Sequence, residues 1–252
     1  MKKMTVIQRR MLLLMTFLLV MASFLAVYIA LSRSAKEPAV SEAEVTAEPA
    51  AEINSPYWVN NVEIPSAGGV EIVHSHVDWN SPRRPGEVRE IRYLTIHETD
   101  NRGSGADALA HNTWLTSNTT DITSWHYTVD DHSIYHNILD NEIAWNAGDN
   151  RTQPGGNING IGIEMCVNLT NDFEATLHNT AELAAQLLVT YDLSVDAVRL
   201  HADFMDKVCP HRLISEGRVE EFYQMIRDAY LRNIQADVKE QILTCFERRA
   251  EE

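Results

Sequence analysis

Two histidines, a cysteine and a glutamate stand where a metal-assisted hydrolysis could be carried out. His97 closes the apolar run "YLTIH" (93–97), and His201 closes "AVRLH" (197–201). Cys209 follows His201 by eight residues in "HADFMDKVCPHR" and is fixed by Pro210, while Glu164 lies inside "GIGIEMCV" (160–167). Imidazoles and a thiolate are good zinc ligands, and a site with three protein ligands keeps a fourth position for water. Such a metal lowers the pKa of its water to about 7 and polarises a carbonyl. A carboxylate nearby can take and return protons, and a cation can steady an oxyanion; Glu164 and Lys207 are available for those two tasks. Spacing alone leaves the set open, because His-x7-Cys is no standard metal signature. Cys209 also reads as a buried small side chain, Glu164 as the partner of an arginine, and Lys207 as a solvated cation.

These residues need rigid elements behind them. In "YLTIH" the period-two alternation puts Leu94 and Ile96 on one face and Tyr93, Thr95 and His97 on the other, so His97 leaves a strand anchored by its aliphatic pair. "GIGIEMCV" alternates likewise, with Ile161, Ile163, Met165 and Val167 opposite Gly162, Glu164 and Cys166. "GADALAHNTWL" (105–115) carries Ala106, Leu109, Ala110 and Trp114 at helical spacing. "SWHYTVDDHSIYHNI" (124–138) reads as a hairpin turning at Asp130-Asp131-His132-Ser133. "FEATLHNTAELAAQLLVTYDL" (173–193) marks a long helix by Leu177, Ala181, Ala184, Leu188 and Tyr191. From Val219 onward Phe222, Met225, Ile226, Ala229 and Leu231–Ile234 predict a closing helix. Strands interleaved with covering helices give an α/β domain with a single mixed central β-sheet covered by helices. The loop "GDNRTQPGGNING" (148–160) precedes the glutamate strand, a place for backbone that contacts a ligand.

The remainder of the 252-residue chain reads differently. Residues 1–10 carry four basic side chains, and 11–31 run 21 residues without a charge. That length spans about 30 Å as a helix, a bilayer's hydrocarbon core, and exceeds the roughly 7–15 residues of a secretory apolar region. One N-terminal transmembrane signal-anchor is therefore expected, with the basic end cytoplasmic and the catalytic part extracytoplasmic. A cleaved, secreted form is the lesser alternative. Residues 32–56, rich in Ala, Glu, Ser and Pro, read as a tether; 57–217 form the catalytic domain and 218–252 a C-terminal helical extension. A formal net charge of −15 excludes nucleic acid as a partner. Three cysteines (Cys166, Cys209 and Cys245) make no even-numbered disulfide framework, and Cys166 is expected to be a buried thiol.

From about residue 77 to 217 the chain resembles the zinc-dependent N-acetylmuramoyl-L-alanine amidases of the amidase_2 family, whose fold is shared with peptidoglycan recognition proteins and amidase-type phage lysins. The resemblance rests on "NSPRRPGEVREIRYLTIHETDN", "GADALAHNTWL", "TSWHYTVDD", "AWNAGD", "GNINGIGIEMCVN" and "HADFMDKVCPHRLISEG", in the family's order. It is nearest to the Firmicute and prophage autolysins. It implies one zinc per chain on His97, His201 and Cys209. Glu164 would activate the zinc-bound water, and Lys207 would stabilise the tetrahedral intermediate. It also implies peptidoglycan as the partner, cut between N-acetylmuramic acid and L-alanine.

Departures from the family pattern bear on substrate contacts. Trp125 stands where some members carry a catalytic tyrosine. Asn146 stands in "Trp145-Asn146-Ala147-Gly148" where relatives often have histidine, and an amide cannot carry a proton at neutral pH. His126 is expected to be structural or to touch substrate. Trp125, His126 and Asn146 are thus the expected substrate-binding residues. The rival functions are a non-catalytic muropeptide-binding module of the same fold and a peptidase acting within the stem peptide.

Overall fold

The computed structural model describes residues 62–250 apart from 118. The basic segment 1–10, the apolar run 11–31, the tether 32–56 and the first few residues assigned to the domain lie outside the described residues. Among the described residues no helix is long and apolar enough to cross a membrane.

Seven strands form one mixed sheet in the order β1-β2-β5-β4-β6-β3-β7. They are β1 (Ser66–Ala67), β2 (Val70–His74), β3 (Tyr93–Glu98), β4 (Tyr127–Val129), β5 (Ile134–His136), β6 (Gly160–Met165) and β7 (Val198–Leu200). β3 lies between β6 and β7 and runs parallel to both. β4 is parallel to β6 and antiparallel to β5, and β2 is parallel to β5. The predicted hairpin is β4–β5, closed by the Asp130 amide donating to the Ser133 carbonyl and by the Asp130 carboxylate accepting from Ser133 and His132 amides.

The aliphatic faces read from the alternation form the main core. The α-helices among the described residues are α1 (Ala108–Thr116), α2 (Gly156–Asn159), α3 (Phe173–Thr190), α4 (His211–Ser215) and α5 (Val219–Ala250). Leu94, Ile96, Ile161, Ile163 and Met165 pack beneath α3 and α5. Asp172 caps α3 by accepting from the amides of Glu174 and Ala175, a contact worth about 1 kcal/mol. Arg218 clamps the start of α5 to that of α3 through Glu174, at 2.6 and 2.7 Å. Phe222, Ile226 and Ala229 are buried in this same core, so the first turns of α5 are part of the domain, whereas Leu231 points to solvent.

The helix α1 (Ala108–Thr116) differs from the expected pattern. Its buried side is Ala108, Asn112 and Leu115, while Leu109, Ala110 and Trp114 are exposed. Asn112 is the reason: its amide donates to the Ser75 carbonyl and to Asn137 Oδ1 at 2.7 and 2.9 Å, so a polar residue fixes the inward side. Leu115 joins Val77, Trp125, Ile138 and Ala144 in a second, smaller core.

Candidate active site

The side of the sheet opposite α3 carries the chemistry. His97 on β3 and Glu164 on β6 are register partners in a parallel pair, so both side chains leave the same face as neighbours. His97 Nδ1 stands 4.0 Å from Glu164 Oε1. β7 delivers His201 as the first residue of a single 3-10 turn, which Asp203 secures by accepting from the Leu200 amide at 2.8 Å. The chain then returns: the Ala202 amide donates to the Cys209 carbonyl at 3.0 Å, bringing the cysteine back to the histidine.

The ligand atoms converge. The two Nδ1 atoms of His97 and His201 are 2.9 Å apart, and Cys209 Sγ lies within 4.8 Å of a ring nitrogen of each histidine. All three residues are buried. His97 Nε2 lies 3.1 Å from Asn146 Oδ1. An amide oxygen only accepts, so it holds the proton on Nε2 and leaves the Nδ1 lone pair facing His201 and Cys209. Gly162 makes room for that contact, since a Cβ there would come within 2.8 Å of Asn146 Cγ.

Burial governs the electrostatics. It drives the His97 pKa well below the ordinary histidine value, helped by His201. Burial and Lys207 bring His201 to about 4. Both rings are therefore neutral at pH 7, with lone pairs to offer. Burial also raises the Cys209 thiol to about 12 and Glu164 to about 8; Lys207 opposes the glutamate's shift and Glu98 adds to it. Glu164 Oε2 is buried without a hydrogen-bond partner. Two neutral imidazoles, a thiol and a solitary carboxylate oxygen are a donor set that fits a borderline-soft cation such as zinc.

A cavity of about 420 Å³ opens beside this cluster, lined by Glu98, His111, Trp114, Trp125, Glu164 and Lys207 among others. Lys207 also lines a second hollow with Cys209. Trp125 sits in the cavity wall, donating from Nε1 to Thr128 Oγ1 at 2.7 Å and stacking on Trp114 at 5.8 Å between rings.

Two of the residues expected at the substrate have partners inside the protein, and for His126 the structural alternative is the one that fits. His126 is fully buried, its Nδ1 accepting from the Gly162 amide at 2.9 Å and its Nε2 facing the Glu142 carbonyl at 2.9 Å. It follows Trp125 directly and turns the other way, so it ties strands together away from the cavity. Asn146 is a partner of the His97 ring, through its side-chain oxygen.

Glu98, Trp114 and His111 were not singled out from the sequence. Glu98 Oε2 accepts from the Arg212 amide at 2.7 Å, which ties the segment after Cys209 to the end of β3. Its position directly after His97 was the one available signal. Cys166, buried as expected, has its Sγ 3.9 Å from His111 Nδ1.

The chain is similar to several known proteins. The chain is 37% identical over 145 residues to N-acetylmuramoyl-L-alanine amidase XlyA of Bacillus subtilis (strain 168), covering 58% of this chain and 48% of the relative. It is 35% identical over 145 residues to N-acetylmuramoyl-L-alanine amidase CwlH of the same organism, covering 58% and 57%. It thus spans about half the length of these curated relatives. The solved catalytic domain of XlyA superposes with a TM-score of 0.59 at 36% identity, over 62% of this chain and 99% of that one. A family model described as N-acetylmuramoyl-L-alanine amidase matches residues 87–212, half of the chain, and the chain belongs to that family, Amidase_2.

Proposed function

We propose that this protein is a zinc-dependent N-acetylmuramoyl-L-alanine amidase that hydrolyses the amide between the lactyl group of N-acetylmuramic acid and the first L-alanine of the peptidoglycan stem. The observation that carries this reading is a half-buried Glu164 at the cavity, beside a His97, His201 and Cys209 cluster, in a chain of the Amidase_2 family. His97 and His201 through Nδ1, and Cys209 through Sγ, would hold the metal. Bound there, zinc supplies a Lewis acid that acidifies a water, polarises the scissile carbonyl and draws the Glu164 carboxyl toward its ionised form.

The chain's own residues do the rest. Glu164 takes a proton at Oε2 from the attacking water and returns it to the departing alanine nitrogen, leaving a muramic acid carboxylate and a free amine. Lys207, in the same cavity wall, places a positive charge where the carbonyl oxygen gains its negative one. Trp125 and Trp114 offer stacked apolar surface to the sugar and stem. Asn146 keeps His97 in the tautomer that presents Nδ1.

Mass spectrometry of peptidoglycan digested by the full chain, and by Glu164→Gln and Cys209→Ala variants, tests this reading. Free L-alanine amino termini paired with muramic acid carboxylates, from the unmutated protein alone, are the expected products. Cleavage inside the stem peptide would replace the amidase by a peptidase, and tight binding without any product would leave a recognition module.

For location, the basic residues 1–10 and the uncharged run 11–31 support a signal-anchor in the cytoplasmic membrane with the domain outside, where its substrate lies. Retention in membranes washed with alkaline carbonate is the expected result; release into the soluble fraction would overturn it.

A further inference from the structure

We propose that His74, His76 and His136 form a second metal site, a three-imidazole centre for a zinc-type divalent cation, distinct from the cluster beside Glu164. His74 and His136 are register partners at the ends of the parallel strands β2 and β5, and His76 follows two residues after His74. His74 Nδ1 lies 3.0 Å from His136 Nδ1, and His76 Nε2 lies 3.3 Å from that same atom. One ligand nitrogen from each of the three rings falls within 4.8 Å of the others. The rings meet edge-on, at 66–89° to one another, so their nitrogen tips converge.

Hydrogen bonding among the rings does not account for this arrangement. His136 Nδ1 has either one lone pair or one proton, so it can satisfy one neighbouring nitrogen and leaves the second facing it. A cation among three lone pairs satisfies all of them. Tetrahedral zinc with bonds of about 2.0–2.1 Å holds its ligand nitrogens about 3.3–3.4 Å apart, close to the spacings here. The His97–His201 pair, at 2.9 Å between Nδ1 atoms, shows the same approach.

The surroundings of His136 are those of a metal-ligating histidine. Its other nitrogen, Nε2, stands 3.3 Å from Asp140 Oδ1, with both side chains fully buried. A carboxylate there favours the proton on Nε2 and aims the Nδ1 lone pair into the cluster. Asp140 is itself held by the Tyr191 hydroxyl at 2.7 Å, and Tyr127 stacks flat on the His136 ring at 4.4 Å. Imidazole donors suit zinc, copper, nickel and iron(II).

The two centres are separate. His136 shares a register row with Tyr127 and Ile163, and Ile163 pairs with Ile96. Residues in one row share a face, and His97 and Glu164, one position further along their strands, take the other. The second site therefore joins the end of β2, the loop segment that follows it and the end of β5, on the far side of the sheet. His74 and His76 are half-buried, so the cluster can be reached from solvent. The inference does not depend on the hydrolase reading, because the metal is counted without turnover.

The test counts zinc in the full chain after loading and desalting, and records visible spectra with cobalt(II) in its place. Two zinc ions per unmutated chain are expected, with one in His76→Gln and one in the double variant His97→Ala/Cys209→Ala. Cobalt in that double variant should give the d–d bands of a tetrahedral nitrogen site with no thiolate charge-transfer band. Zinc should also raise the double variant's melting temperature. If His76→Gln fails to fold, the double variant's count and spectrum still decide the matter. One zinc in the unmutated chain and none in the double variant would overturn the proposal, as would an unchanged count in folded His76→Gln.

Discussion

His97 Nε2 lies 3.1 Å from the side-chain oxygen of Asn146, and this contact determines which nitrogen of His97 meets the ligand cluster. An asparagine in this loop acts through the ring it orients. Replacing it with leucine removes the acceptor and frees the tautomer. Asn146→Leu is expected to weaken metal binding by about 10–100-fold, as loss of such supporting contacts does. Competition with a chromogenic chelator measures it. An unchanged affinity with altered substrate preference would return Asn146 to the substrate.

Glu164→Gln keeps the shape of the side chain and removes its proton traffic. The variant should hold the same amount of metal as the unmutated protein and lose about 10²–10⁴-fold in kcat, the usual contribution of a positioned acid/base. Metal analysis beside muropeptide release checks both halves. A fully active Glu164→Gln would remove the carboxyl from the mechanism.

Metal uptake should depend steeply on pH. Burial holds the Cys209 thiol at about 12 and Glu164 at about 8 in the metal-free protein, so both carry protons at pH 7. The His97 and His201 rings are already neutral and have none to give. Binding must displace the thiol proton and draws off much of the carboxyl's, so low pH opposes loading. Apparent affinity should rise by about ten- to a hundred-fold per pH unit between pH 6 and 8, the linkage expected for one to two protons. Isothermal titration in buffers of different ionisation enthalpy counts them; a pH-independent affinity would sink the thiolate ligand.

Phe222 is buried to 1% in the main core, while Leu231, later on the same helix, is 56% exposed. Phe222→Ala should cost about 3–5 kcal/mol and Leu231→Ala within about 0.5 kcal/mol. Urea unfolding of the two variants decides it. Equal small losses would mean that α5 is an appendage rather than part of the domain.

Trp114 lies on the cavity side of α1, stacked on Trp125 and carrying the Arg83 guanidinium 3.6 Å above its ring. Trp114→Ala should raise KM several-fold with little change in kcat, because an indole in the cavity wall offers surface to the substrate and moves no proton. Steady-state kinetics on a soluble muropeptide measures the split, and a selective loss of kcat would contradict it.

Much of this was legible in the chain. The alternation in "YLTIH" and "GIGIEMCV" places Leu94, Ile96, Ile161 and Ile163 in the core and His97 and Glu164 opposite them, because the two-residue period of a strand is a local steric property. The hairpin and α3 follow equally from local signals. The inward side of α1 did not, since a buried Asn112 outweighed the apolar spacing through hydrogen bonds to Ser75 and Asn137. His126 is another case: as a residue type it suits a site, yet its partners are the Gly162 amide and the Glu142 carbonyl, contributed by β6 and a loop.

By itself, the sequence determined the residue types, the faces of the strands and the order of the motifs, all of which depend on neighbours a few positions apart. The tertiary structure alone decided which nitrogen of each imidazole points inward, that Asn146 partners His97, and that the histidines of "VHSHV" meet His136 some 60 residues later. Strand pairing is the physical reason. A register between β2 and β5, or between β3 and β6, brings together groups that no local period connects, and a slip of one residue would send each of them to the opposite face.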